Sequence, residues 1–132
     1  MAFLISNDRR DSAYNFYSQL KDNDTSKRQF NSRFDNWRDG QPDKPHRYHG
    51  WNKTEFGGRY TKCFVFKYKQ HRLYGFLCNP KDDDNRYQIC ILVCHAIKKD
   101  HETDKSELDY VENKRSDISI HKTIKDYLRR TL

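Results

Sequence analysis

The stretch from Tyr87 to Ile97 constrains this chain more than any other. Ile89, Cys90, Ile91, Leu92, Val93 and Cys94 run on with no Asp, Glu, Lys or Arg among them, so the segment reads as a central strand buried on both faces. A strand of that kind needs other elements packed above and below it. Two further strands precede it. Tyr60 to Tyr68 alternates, with Phe64, Phe66 and Tyr68 on one face and Cys63, Val65 and Lys67 on the other. His71 to Cys78 returns after a tight turn at Lys69-Gln70, and Asn79 to Asn85 is a polar turn leading to the central strand.

Helices supply the covering layers. Phe3, Leu4 and Ile5 read as a short first strand, and Ala13, Phe16, Tyr17 and Leu20 recur at helical spacing over about Asp11 to Lys21. Asp22-Asn23-Asp24 breaks that helix. A second begins near Thr25 or Ser26, sets Phe30, Phe34 and Trp37 on one side, and stops at Gly40 and Pro42. Gln41 to Gly58 reads as a loop with one turn or short strand. Past the central strand, Asp104 with Glu107 forms a capping-box pattern for a helix to about Asn113, and Ile120, Ile124 and Leu128 mark an amphipathic helix at the carboxyl end. That last helix either packs on the domain or offers its apolar face to a partner. The class is α+β: strand, helix, helix, three strands in a small antiparallel-rich twisted sheet, with an N-terminal helical hairpin on one side and additional C-terminal helices.

The chain has 132 residues, enough for one core, and only 34% are hydrophobic, so nine Tyr, eight Phe and two Trp carry much of the burial. No apolar run is long enough to span a membrane, and charges follow soon after Met1, against a signal peptide. The expected location is the cytoplasm, with Cys63, Cys78, Cys90 and Cys94 as reduced, buried thiols. A zinc site of Cys90, Cys94 and His95 is the alternative. Strict alternation along the strand counts against it, since Cys90 and Cys94 would point one way and His95 the other.

The net charge of +7 is concentrated. Residues 1 to 43 and residues 73 to 132 each balance, whereas residues 44 to 72 hold Lys44, Arg47, Lys53, Arg59, Lys62, Lys67, Lys69 and Arg72 against Glu55 alone. Histidines 46, 49 and 71 and seven aromatic residues are interleaved with these cations. Such a mixture suits phosphate neutralisation and base stacking, so Lys53, Arg59, Tyr60, Lys62, Lys69 and His71 are candidates for binding RNA.

The strand end Ile91-Leu92-Val93-Cys94-His95-Ala96-Ile97-Lys98-Lys99-Asp100-His101-Glu102-Thr103-Asp104-Lys105-Ser106-Glu107-Leu108 resembles HigB-type toxins of the RelE/ParE superfamily. In these the last core strand ends in paired lysines before a Thr/Lys loop and an acidic-starting helix. The hairpin Lys67-Tyr68-Lys69-Gln70-His71-Arg72-Leu73-Tyr74-Gly75-Phe76 is similar to the family hairpin, in which an arginine opens the strand after the turn. The likeness covers roughly residues 3 to 114 as a single RelE/HigB-like domain, with residues 115 to 132 an extension. On the strand before the hairpin, Lys62-Cys63-Phe64-Val65-Phe66-Lys67 departs from the family's acidic-apolar-Arg pattern.

The resemblance implies the toxin of a type II toxin–antitoxin pair, an endoribonuclease that cuts mRNA in the ribosomal A site and is restrained by an antitoxin of helix-turn-helix type. RNA cleavage by its own 2′-hydroxyl needs no metal or cofactor. It needs cations for the charge gathering on phosphorus and a group to protonate the leaving oxygen. Arg72 is the first candidate for the phosphate, supported by Lys67 across the turn. Of Lys98 and Lys99, only one should reach the same phosphate, and the pattern leaves open which. His101 is preferred for proton transfer, with His95 and His71 as alternatives. A ParE-like gyrase inhibitor and a non-catalytic RNA-binding or ribosome-associated protein are the competing expectations.

Overall fold

The computed structural model describes residues 1–5, 11–80, 87–98 and 105–131. Its centre is an antiparallel meander. Strand β3 (Cys63–Tyr68) turns through Lys69-Gln70 into β4 (His71–Pro80), which pairs in turn with β5 (Tyr87–Ile97). Lys69 adopts the left-handed conformation that so short a turn demands, at φ 52°. A three-residue strand, β2 (Tyr48–Gly50), pairs antiparallel with β3, and β1 (Ala2–Phe3) pairs parallel with β5. The sheet order is β1-β5-β4-β3-β2. The expected α+β class holds, with a five-stranded mixed sheet, and β2 is the short strand within the Gln41–Gly58 loop.

Helix α1 (Ala13–Ser18) starts at Ser12, whose hydroxyl accepts the Asn15 N–H, and α2 (Thr25–Arg38) starts at Asp24, whose carboxylate accepts the Ser26 N–H. α1 is shorter than its apolar spacing predicts. The chain tightens as Leu20 N–H bonds Tyr17 carbonyl, and Lys27 of α2 donates to the Leu20 carbonyl, closing the hairpin there. Ala13, Phe30 and Phe34 then pack on Phe64, Phe66, Leu73, Cys90 and Leu92, one face of the sheet.

The opposite face packs on α3 (Lys105–Ser116) through Leu108 and Val111, which meet Cys63, Val65, Tyr74, Phe76, Ile91 and Val93. Three carboxylates of α3 fasten it to the sheet side. Glu107 accepts the Cys94 thiol at 3.2 Å, Glu112 the Cys63 thiol at 3.4 Å, and Asp109 the Tyr60 hydroxyl at 2.6 Å. Glu107, expected as a capping-box partner, is thus buried against a strand, and Asp104 lies outside the described residues. Helix α4 (Ile118–Thr131) packs on α3, with Ile124 against the core while Ile118 and Tyr127 stay exposed.

Removing the Tyr60 hydroxyl isolates one of these fastenings. Tyr60→Phe is expected to cost about 1–1.5 kcal/mol, because the ring stays buried while Asp109 loses one of its donors and keeps Arg59. Thermal denaturation of the variant checks this, and an unchanged Tm would contradict it.

Sheet pairing is irregular at one point. Tyr74 faces Cys94 and Gly75 faces Leu92, so Val93 is an extra residue, a β-bulge. The bulge reverses the facing of everything after it. Cys90 lies on the α1/α2 face and Cys94 on the α3 face, while His95 returns to the side of Cys90. The expectation from strict alternation is corrected here. Cys90 and Cys94 do not share a face, and no cluster able to hold a metal occurs among the described residues. All four cysteines are free thiols, and burial pushes those of Cys63, Cys78 and Cys90 up. Among the described residues no helix is long and apolar enough to cross a membrane.

Candidate functional site

The β3–β4 register sets Lys67 directly opposite Arg72. Lys67 shares its face with Cys63 and Val65, and Arg72 shares its face with Tyr74 and Phe76, so both cations stand on the α3 side, at the turn end of the sheet. Like charges directly opposite on a sheet repel. Burial, and then the charge of Arg72, lowers the Lys67 ammonium below its usual value; burial likewise lowers the Arg72 guanidinium, against the nearby Tyr74 phenol. No carboxylate among the described residues offsets either. Each cation is held by backbone instead. Lys67 Nζ donates to the Pro45 carbonyl at 3.1 Å, and Arg72 Nη1 donates to the carbonyls of Lys69 at 2.7 Å and His71 at 3.0 Å. Those contacts orient the side chains without neutralising them, a geometry that fits an incoming anion.

His49 joins them from β2. It stands opposite Val65, on the same face as Lys67 and two residues from it along β3, and the Lys67 charge bears on it. Its Nδ1 lies 2.9 Å from the Gly50 carbonyl, which only accepts, so that nitrogen carries the hydrogen and Nε2 is left with a lone pair in the neutral ring. Its edge-to-face contact with Trp51 fixes the ring, and burial lowers its pKa, so it is neutral at pH 7. With the Lys67 ammonium, Asp43 and Glu55 all bearing on it, this neutral imidazole can accept a proton from a hydroxyl held there. His49 was visible in the sequence only as one histidine of the basic segment. Its facing depended on a three-residue strand in a loop.

The other expected site residues divide. Lys69 sits in the turn with its ammonium 5.5 Å from the Tyr68 ring, and the backbone N–H of Lys98 bonds the Gln70 carbonyl, bringing the end of β5 beside that turn. Lys99 and His101 lie outside the described residues. Lys53, Arg59, Tyr60 and Lys62 precede β3, and Lys62 is five strand steps, about 16 Å, from Lys67. Arg59 pairs with Asp109 at 3.1 Å, and Tyr60 is only 2% exposed, so its ring offers no open face for stacking. A groove of about 990 Å³ near Lys53, lined by Trp37, Trp51 and Phe64, lies at this same end, away from Arg72.

His71 and His95 face away from Arg72. Being next to Arg72 in the strand, His71 points to the helical side, where its Nδ1 meets His95 Nε2 at 2.9 Å and both rings lie against Phe16. Neither reaches a phosphate held by Lys67 and Arg72. Their contact requires one N–H and one lone pair, and double protonation would set two N–H groups against each other. Burial, then the charge of His71, lowers His95 to about 4; burial and Arg72 lower His71. The folded state therefore binds fewer protons than the unfolded chain between pH 6.5 and about 4. Stability is full above 6.5 and falls as pH drops through that window. With partial solvent exposure allowed for, the loss is about 2 kcal/mol. Urea denaturation at pH 7.5 and 4.5 measures it, and His95→Gln should remove most of that difference.

Comparison with protein-family models, with characterised proteins and with solved structures yields no match.

Proposed function

We propose that this chain is a cytoplasmic RelE-like toxin of the HigB type, an endoribonuclease acting on mRNA in the ribosomal A site and restrained by a helix-turn-helix antitoxin. The observation that carries the reading is the pair Lys67 and Arg72, opposed across a hairpin, partly desolvated and with no offsetting carboxylate among the described residues. Such a pair gains most from a doubly coordinated anion such as a phosphodiester. The element order supports it as well: the hairpin lies on one side of the central strand, and the helical pair covers the face opposite the cations.

In the reaction, His49 Nε2 takes the proton of the 2′-hydroxyl as that oxygen attacks phosphorus. Arg72 and Lys67 hold the two non-bridging oxygens as negative charge grows on them. The bond from phosphorus to the 5′-oxygen breaks, leaving a 2′,3′-cyclic phosphate and a 5′-hydroxyl. Protonation of that 5′-oxygen falls to Lys98, just past the end of β5, or to Lys99 or His101, which follow it in the sequence.

Incubating the purified protein with translating ribosomes and end-labelled mRNA tests this. Fragments bearing 5′-hydroxyl and cyclic phosphate ends are expected. Intact mRNA together with salt-sensitive RNA binding would make the protein a binding module instead. Intact mRNA with DNA breaks after induction would make it a gyrase inhibitor.

A further inference from the structure

The helical face of the same hairpin carries a second set of cations. Arg33 of α2 is 93% buried, counted from its 7% residual exposure, and Phe30 and Phe34 flank it on the core side of the helix. Its Nη1 donates to the carbonyl and side-chain oxygens of Gln29, at 3.0 and 2.8 Å. Nε is buried with no partner, and Nη2 has none among the described residues. Its guanidinium lies over the Tyr68 ring at 5.3 Å, and the Lys69 ammonium lies 5.5 Å from that ring. The charge of Arg47, exposed just before β2, bears on Arg33 as well.

A buried guanidinium normally has a carboxylate beside it, because an unpaired charge in the interior is costly. Here the charged neighbour is another cation, Arg47, with the Tyr68 phenol, and no carboxylate among the described residues bears on Arg33. We propose that Arg33 and Lys69, which share the Tyr68 ring, and Arg47, whose charge bears on Arg33, form a second anion site that takes a phosphate group. The site holds the ligand by Arg33 Nη2 and the Arg47 fork, with the Lys69 ammonium closing the third side. A strand of RNA whose scissile phosphate lies between Lys67 and Arg72 could carry a further phosphate around the turn to this face. That source rests on the functional reading above, whereas the anion site does not.

The test uses the full chain carrying Lys67→Ala and Arg72→Ala, which deletes the first anion site. Thermal unfolding is followed with inorganic phosphate against chloride at matched ionic strength, and binding of a short single-stranded RNA is followed across salt. A rise in Tm with phosphate is expected in this background, and Arg47→Ala should remove at least half of it. Arg33→Met should remove it too and raise Tm without phosphate, since an uncompensated buried charge is gone. If Arg47→Ala instead weakens only RNA binding, about tenfold and with a salt slope smaller by about one, the phosphate comes from the RNA backbone. A phosphate response without an RNA response assigns the site to a small anion. Phosphate and RNA responses that are absent, or that survive both Arg33→Met and Arg47→Ala, overturn the proposal. Arg47 is exposed, so its variant reports even if Arg33→Met fails to fold.

Discussion

Gly75→Ala is expected to cost about 3–5 kcal/mol and to leave little folded protein at 37 °C. A Cβ at this position would stand 2.2 Å from the Ile91 carbonyl oxygen and 2.9 Å from both the Ile91 carbonyl carbon and Leu92 Cα. All three are backbone atoms of the central strand, so no rotamer change can relieve the overlap. The alternatives are to part β4 from β5 or to undo the bulge, and undoing it would turn Cys94 and His95 to the wrong faces. Gly50→Ala is the control. Its Cβ would meet Cys63 O and Phe64 at 3.4 Å, ordinary contact that should cost under about 1 kcal/mol. Chemical denaturation of both variants decides the matter, and a Gly75 variant within 1 kcal/mol of the parent would refute the steric argument.

Arg72→Ala should reduce mRNA cleavage on translating ribosomes by about 100- to 1,000-fold, the usual cost of removing a group that stabilises transition-state charge. Lys67→Ala should cost less, about tenfold, because a point charge at the same phosphate lacks the bidentate geometry. Neither change should lower Tm appreciably. Each removes one of two like charges that repel in the free protein, so some gain in stability is expected. A ribonuclease assay paired with thermal unfolding separates the two effects. Retention of half the parental activity by Arg72→Ala would remove Arg72 from the site.

The strands and helices were legible because their patterns are local. Tyr87–Ile97 appears with the bounds its apolar run predicts, and α2 begins where Asp24 caps it. Facing was less legible. Adjacent residues of a regular strand point opposite ways, which by itself separates His71, an expected RNA contact and alternative proton-transfer group, from Arg72, the expected phosphate ligand. The bulge at Val93 has no marker in β5; its trace is Gly75 in the partner strand, whose meaning depends on the pairing. Tyr60 belonged by composition to a basic aromatic surface. Its burial follows from a hydroxyl bond to Asp109, 49 positions away, a partner that no local pattern names. Arg33 reads as an ordinary helix-surface cation until the hairpin end is laid across it.

The two outermost strands of the sheet span two and three residues. Beyond β1, the Asp11 carbonyl and Ser12 continue along β5 by bonding His95 N–H and bridging Cys94. Few backbone donors and acceptors are therefore left in a row where another chain could add a strand. A protein whose interior is one long apolar strand would otherwise be a template for fibrils. Here the sequence most able to stack into them is kept three strands deep on one side and stoppered on the other, so amyloid-like growth requires unfolding first.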